Sequence, residues 1–542
     1  MQKTNRENII LLLVSIPVIA FTVFFLYQII GNMITSLAYP LEYREAVNIA
    51  FTKQILEGKN PYSLFAISEN VTPGVIYLYP FIYCYLVAFV ELIFPINLVL
   101  LHYLVSLFCM LGSAFLISYM VNEHGKSLIA PSVSFLLTLV CHWRYSYISA
   151  TPDSLGLFVS ILALFILSRK NYKYRTILVS LLTVLQFYIK QYFILLAVTA
   201  IIYFLFLSKK EFVKYFLYSA ILTILSAIIV TIAFPTYWTY AFYLLKGSEV
   251  YFNIEQFKYA LEQFLYIGIL YGCFFLMILL TILFAFKQHK TKMKLHFKDI
   301  NLPLFVFTNH VNSSSNDDLL VFWINFFTCG LGLFYFGLNN GAYLTYYLQL
   351  WGPSVIFIGL FCFEKAFSKI TRRYLFLLFY CFSIFITIFL NIRKLPYHQL
   401  DYSEQLQWSK AYDLLEQYET NVCYYSPLMA FWAIEHDKYV YDLGHVGIAT
   451  QKDYDRWLND SFSQTLFPYA GNILETNLKY QNKMNQTMKN KEYALVTRVK
   501  GMDIVFSDND LSLYYELLCT LPLRTGNSVY ETDFWIPKES CR

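Results

Sequence analysis

The chain has 542 residues, of which 57% are hydrophobic, 19% aromatic and 14% charged, with a formal net charge of +5. Soluble domains carry roughly 45–50% apolar and about 25% charged residues, so this composition excludes an ordinary water-soluble protein. The small positive balance is spread over short loops, forms no basic stripe and accompanies no nucleic-acid-binding motif, which excludes a nucleic-acid partner.

Apolar runs of membrane-spanning length recur from residue 8 to about residue 391. They predict an α-helical polytopic membrane protein with about eleven transmembrane helices, followed by a C-terminal extracytoplasmic α/β domain. Residues 9–30 follow Lys3 and Arg6 but are too long for a signal-peptide core and lack a small-residue cleavage site, so they are expected to remain as the first helix. A long external loop follows over 32–96. Its apolar segment 75–95 contains Pro80 and ends at Pro95. A crossing there conflicts with the basic loops at 169–175, 209–214, 287–298 and 365–373, which the positive-inside rule places in the cytoplasm. The segment is therefore expected to lie juxtamembrane or re-entrant, packed on protein or lining a cavity.

The runs 97–121, 128–146 and 154–168 then cross in turn. Outward and returning pairs follow at 176–188 with 190–207, 215–235 with 264–286, and 319–337 with 345–363. A last run at 374–391 leaves residues 392–542 outside. The first pair is short for two spans and is interrupted by Gln186 to Gln191, which suggests short helices meeting at a thinned outer face. The tail alternates helical patterns, at 403–418 and 452–459, with β-rich runs at 421–425, 438–442, 493–499 and 502–506. The ten cysteines show no metal-ligand spacing, and pairing among Cys423, Cys519 and Cys541 is left open.

Several polar residues at the predicted outer face are candidates for chemistry. Glu42 and Glu45 are three apart in the first external loop, so a helix places them on one face, and either carboxylate suits a general base. Ordinary solvation at the interface is the plain alternative for both. Asp153, in Thr151-Pro152-Asp153-Ser154, fits both a helix cap and a functional acid at the membrane edge. Lys190 interrupts an apolar run where the positive-inside rule disfavours it, and as a point charge it suits the phosphate of a lipid-linked substrate. Arg144 offers the same charge, or a snorkelling anchor beside an aromatic belt. Asn340 and Tyr343 add polar groups near the same depth.

Arg44-Glu45, about thirteen residues, then Gly58-Lys59-Asn60-Pro61-Tyr62 resembles the motif of the GT-C superfamily of polyprenyl-phosphate-sugar-dependent glycosyltransferases. Protein O-mannosyltransferases, aminoarabinose transferases and mycobacterial arabinofuranosyl- and mannosyltransferases are members. In that family an acidic pair precedes Gly-x-x-Pro-Tyr. Here Arg44 stands in place of the first acid, which puts the pair's metal-binding role in question. Tyr79-Pro80 resembles the juxtamembrane signature, His102 stands where many relatives have arginine, and Asp153 and Lys190-Gln191 match two further motifs.

The resemblance implies an inverting glycosyltransferase moving a sugar from a polyprenyl-phosphate donor to an extracytoplasmic glycan, lipid or protein. It implies Glu45 as the base that activates the acceptor hydroxyl, with Lys190 and Arg144 on the donor phosphate and Asp153 as a further catalytic carboxylate, while Glu42 is a catalytic candidate from its place beside Glu45 alone. Tyr62, Tyr79, His102, Gln191, Asn340 and Tyr343 become donor or acceptor contacts, and a divalent cation, if used, would fall to Glu45 and Asp153. The competing expectations are a transporter or flippase of lipid-linked sugars and a polysaccharide polymerase or ligase.

Overall fold

The computed structural model describes residues 2–40, 45–62, 81–124, 129–145, 149–244, 258, 314–332, 350–361, 400–418, 421–424, 427–438, 451–500, 507–525 and 528–538. The apolar runs fold as helices: α1 (Gln2–Thr35), α2 (Glu45–Leu56), α3 (Ile82–Ile93), α4 (Leu98–His124), α5 (Ile129–Tyr145), α6 (Asp153–Ser168) and α7 (Arg175–Ile189). A 3₁₀ turn (Gln191–Ile194) leads into α8 (Leu195–Leu207), α9 (Lys209–Ala233) and a π-helical turn (Thr239–Leu244). Beyond these lie α10 (Ser314–Gly332) and α11 (Leu350–Phe361).

Among the described residues three helices are long and apolar enough to cross a membrane, within α1, α4 and α9. At 1.5 Å per residue the 16 residues of α6 and the 15 of α7 span about 24 and 22 Å, short of a hydrocarbon core of about 30 Å. The expected pair of short helices at 176–207 is present. The segment expected not to span contributes α3, only 12 residues long. The runs predicted at 264–286 and 374–391 lie outside the described residues, as do the β-rich run at 502–506 and all but the first residue of that at 438–442.

Polar contacts join loop ends that charge placed on one side. Arg169 pairs with Glu123, half-buried His124 with buried Asp318, and Thr176 donates to Glu211 at 2.8 Å. At the opposite ends, Gly58 closes α2 in the left-handed region, at φ 73°. The N–H groups of Gly58 and Lys59 return to the carbonyls of Ile55 and Gln54, at 3.0 and 2.9 Å, a double bond pattern that favours glycine. The turn directs Asn60 onto the last carbonyl of α9, at 2.7 Å from Ala233. α9 turns Phe216, Ile221, Ile224, Ile228, Ile229 and Ile232 outward, an apolar surface suited to lipid. Within the bundle, buried Asn325 of α10 accepts from Thr199 of α8 at 3.2 Å and donates to Ser354 of α11 at 2.8 Å.

The tail forms α12 (Tyr402–Gln417), β1 (Val422–Tyr424), α13 (Pro427–Glu435), α14 (Gln451–Leu458), α15 (Ser461–Leu466), α16 (Ala470–Lys489), β2 (Leu495–Val499), α17 (Asp508–Tyr514), β3 (Tyr515–Thr525) and β4 (Ser528–Pro537). The sheet order is β1-β2-β4-β3, with β1 and β2 parallel and the other neighbours antiparallel. Asp401 and Glu404 cap α12 reciprocally, which explains why its start is sharp. Cys423, Met484, Met488, Val496, Leu511, Tyr515 and Trp535 form a small core of the tail's own. The larger core instead runs from α1 through Trp408, Ala411, Leu415 and α13 to Phe534, so tail and helical bundle share buried surface. Cys423 and Cys519 are free thiols, and Cys541 lies outside the described residues.

Candidate active site

Glu45 is the first residue of α2 and is fully buried. One carboxylate oxygen accepts the backbone N–H of Ala150 at 3.0 Å, and the other accepts the Tyr103 hydroxyl of α4 at 3.1 Å. A buried carboxylate needs such donors, because burying it unpaired costs several kcal/mol. Ala150 belongs to the short connection that opens α6, three residues before Asp153.

Asp153 does not cap α6. The N-cap position is Pro152, without a side-chain cap, and Asp153 is the first helical residue. Its side chain instead crosses to α7, where the Lys190 ammonium donates to both carboxylate oxygens at 2.9 and 3.0 Å. The Tyr192 hydroxyl donates to the same carboxylate. Lys190 itself leaves helical geometry, at φ −164° and ψ 133°, and closes the C-terminal end of α7. A cation there is favoured by the helix dipole as well as by Asp153. Asp153 and Lys190 are 5% and 2% exposed, so their attraction acts with little solvent screening.

The pairing depends on close approach of α6 to the 3₁₀ turn. Gly156, one turn along α6 from Asp153, lies under the fully buried ring of Phe193. A Cβ at Gly156 would come within 1.9 Å of that ring. Alanine ordinarily favours a helix over glycine by about 1 kcal/mol. Here Gly156→Ala should instead lower stability, by about 1–3 kcal/mol, because the ring and the turn carrying Lys190 must move. Thermal unfolding of Gly156→Ala checks the sign, and adding Phe193→Leu should recover most of the loss.

The other candidates are distributed differently. His102 is buried beside Tyr103, with its Nδ1 3.1 Å from the Tyr83 hydroxyl and no partner for Nε2 among the described residues. Tyr62 is buried among the rings of Phe51, Phe81, Phe234, Tyr237 and Tyr240, and its carbonyl accepts the Thr236 hydroxyl at 2.7 Å. The Gly-x-x-Pro-Tyr segment therefore serves to dock α2 onto the end of α9. Gln191 is half-buried in the 3₁₀ turn. Arg144 lies in α5, and its side chain falls outside the described residues, as do Glu42, Tyr79, Asn340 and Tyr343 altogether.

Sequence reasoning missed Tyr103, Tyr192 and Gly156. Only the closeness of Tyr103 to His102 and of Tyr192 to Lys190 hinted at them. The possible divalent cation fits this arrangement poorly. Both carboxylates are engaged by N–H or O–H donors, a lysine ammonium faces Asp153, and no group of three metal-ligating side chains stands together among the described residues.

No protein-family model and no curated protein matches the sequence. Solved structures similar to the chain include the following two. One is an oligosaccharyltransferase from Archaeoglobus fulgidus in complex with zinc and sulfate, 13% identical at a TM-score of 0.44, covering 92% of this chain and 72% of that one. The other is ArnT from Cupriavidus metallidurans bound to undecaprenyl phosphate, 10% identical at a TM-score of 0.45, covering 95% and 97%. Both belong to the GT-C superfamily.

Proposed function

We propose that the chain is a multi-pass membrane glycosyltransferase that moves a sugar from a polyprenyl-phosphate donor to an acceptor outside the cytoplasm. The observation that carries this reading is the gathering of Glu45, Asp153 and Lys190 around one short connection, residues 149–153, from three separate stretches of sequence. Intramembrane or membrane-edge ionisable residues are costly and tend to be functional. The motif resemblance between residues 44 and 191 supports the same reading.

In this mechanism the acceptor hydroxyl gives its proton to Glu45 as its oxygen bonds to the anomeric carbon. The bond from that carbon to the phosphate oxygen breaks on the opposite face, its electron pair leaves with the polyprenyl phosphate, and the centre inverts. Lys190, still paired with Asp153, extends its charge to the leaving phosphate, whose growing charge it stabilises, while Tyr192 helps to keep Asp153 in place. The positive-inside assignment puts this cluster and the tail on the outer side of the plasma membrane.

Proteoliposomes containing the full chain test the proposal. Given a panel of polyprenyl-phosphate-linked hexoses and pentoses with cell-envelope extract as acceptor, they should release polyprenyl phosphate and glycosylate a component of the extract. Passage of intact lipid-linked sugar across the bilayer, without release, would make the chain a transporter instead.

A further inference from the structure

Glu45 sits on a helix of only 12 residues, and the first loop is attached to the tail on both sides of it. Before Glu45, the Tyr412 hydroxyl of α12 donates to the carbonyl of Ala38 at 2.9 Å. The neighbouring Tyr39 ring stacks on Tyr412, with centroids 5.8 Å apart, and lies 5.6 Å from that of Trp408. After Glu45, Lys53 in the last turn of α2 donates to the carbonyl of Ile434 at 2.9 Å and pairs with Asp437.

The second attachment is built into the end of α13. Asp437 occupies the left-handed position that closes this helix, at φ 55°. The N–H of Lys438 returns to Ala433 at 2.7 Å and that of Asp437 to Ile434 at 3.4 Å. Lys53 thus meets a helix C-terminus and a carboxylate together, both favourable to a cation. Its hydrogen bond and charge hold the Asp437 carboxyl below the usual carboxylate range. Between the two attachments α13 packs directly on α2, and Ala46, Val47, Ile49 and Ala50 share one core with Leu428, Met429 and Phe431.

We infer that the tail is the positioning element of the acid-bearing helix: Tyr412 on one side and the Lys53–Asp437 pair on the other hold α2 so that Glu45 stays aligned with Ala150 and Tyr103. The inference rests on the proposed transferase reading for its catalytic consequence, though the clamp itself is a matter of helix stability. Tyr412 and Lys53 are positioning residues acting through α2. An ion pair in which Asp437 is 79% exposed contributes little by itself, so the two attachments act together.

The test compares Lys53→Met, Tyr412→Phe and their double variant with Lys53→Arg, all in the full chain in nanodiscs. Amide exchange of residues 45–56 should accelerate about tenfold or more in the double variant, as expected of a local opening, while that of 153–168 stays unchanged. Release of polyprenyl phosphate should fall in kcat by about tenfold or more, since small misplacements of a catalytic group are costly. Affinity for undecaprenyl phosphate, the binding probe, should change less than about twofold, and Lys53→Arg should retain most of the wild-type rate.

Unchanged exchange in 45–56, or faster exchange with unaltered turnover, overturns the inference. Acceleration in 153–168 as well would show a general loss of structure and overturn it too. Glu45→Gln measured alongside separates the two levels. If the wild type releases no polyprenyl phosphate the transferase reading fails, and if Glu45→Gln keeps full turnover the role of Glu45 as base fails, whereas the exchange data still decide whether the clamp exists.

Discussion

Lys190→Met should destabilise the protein by about 3–5 kcal/mol, although methionine preserves the apolar stem. From sequence alone the lysine is a charge waiting for a phosphate, and its removal is expected to spare packing. The structure corrects that expectation. Lys190 contacts both oxygens of a carboxylate that is itself 5% exposed, so deleting the cation takes away the charge that both oxygens of a buried anion contact. The Tyr192 hydroxyl bonds Asp153 but carries no charge to balance it.

The loss should therefore belong to Asp153 and not to the missing lysine. Lys190→Met combined with Asp153→Asn should recover most of the stability, because the amide is neutral and still accepts from Tyr192. Thermal unfolding of the two single variants and the double variant measures the coupling. A double variant as unstable as Lys190→Met would show that the pair is not the source. Transfer should stay impaired in the double variant even where the fold is restored, since nothing replaces the charge offered to the leaving phosphate. Lys190→Arg should keep part of both properties, imperfectly, because the guanidinium is larger and planar.

Glu45→Gln should abolish transfer by roughly 10²–10⁴-fold with little change in stability. The surroundings make this substitution a clean probe of charge. The amide oxygen can accept from Ala150 as the carboxylate does, and the amide nitrogen can donate to the Tyr103 oxygen. Tyr103 can then turn its proton to the Ser36 carbonyl, which already lies 3.4 Å away. Every group keeps a partner, whereas the amide cannot take a proton from an acceptor. Comparing release of polyprenyl phosphate with the melting temperature separates chemistry from folding. Full activity in a well-folded Glu45→Gln would remove the general base from the mechanism, and Tyr103→Phe then serves to ask whether the carboxylate is structural.

Much of the architecture was readable from local signals. The period of the apolar runs defines α4, α6, α7, α8 and α9 within a few residues, because a backbone in lipid has to satisfy its own hydrogen bonds and helices do so locally. The apolar segment at 75–95 likewise contributes a helix, α3, of 12 residues. In the tail, α12 and α14 followed from their polar–apolar spacing, but β3 and β4 did not. Those strands interrupt their alternation with Pro522 and a register shift near Cys519, so period two is broken where the pairing is longest.

The candidate site divides along the same line. Sequence by itself picked out Glu45, Asp153 and Lys190, since an ionisable residue at the edge of an apolar run stands out against its neighbours. It could not pair them. That Asp153 reaches across to Lys190 instead of capping its own helix depends on Gly156 letting Phe193 approach, a contact between residues 37 positions apart. That Glu45 is held by Tyr103 and Ala150, and its helix by Lys53 and Tyr412, depends on packing between segments separated by up to 381 positions. Hydrophobic periodicity is a local property of the chain, but the partner of a buried charge is chosen by whichever donor the tertiary packing brings within 3 Å, and that choice leaves no local trace.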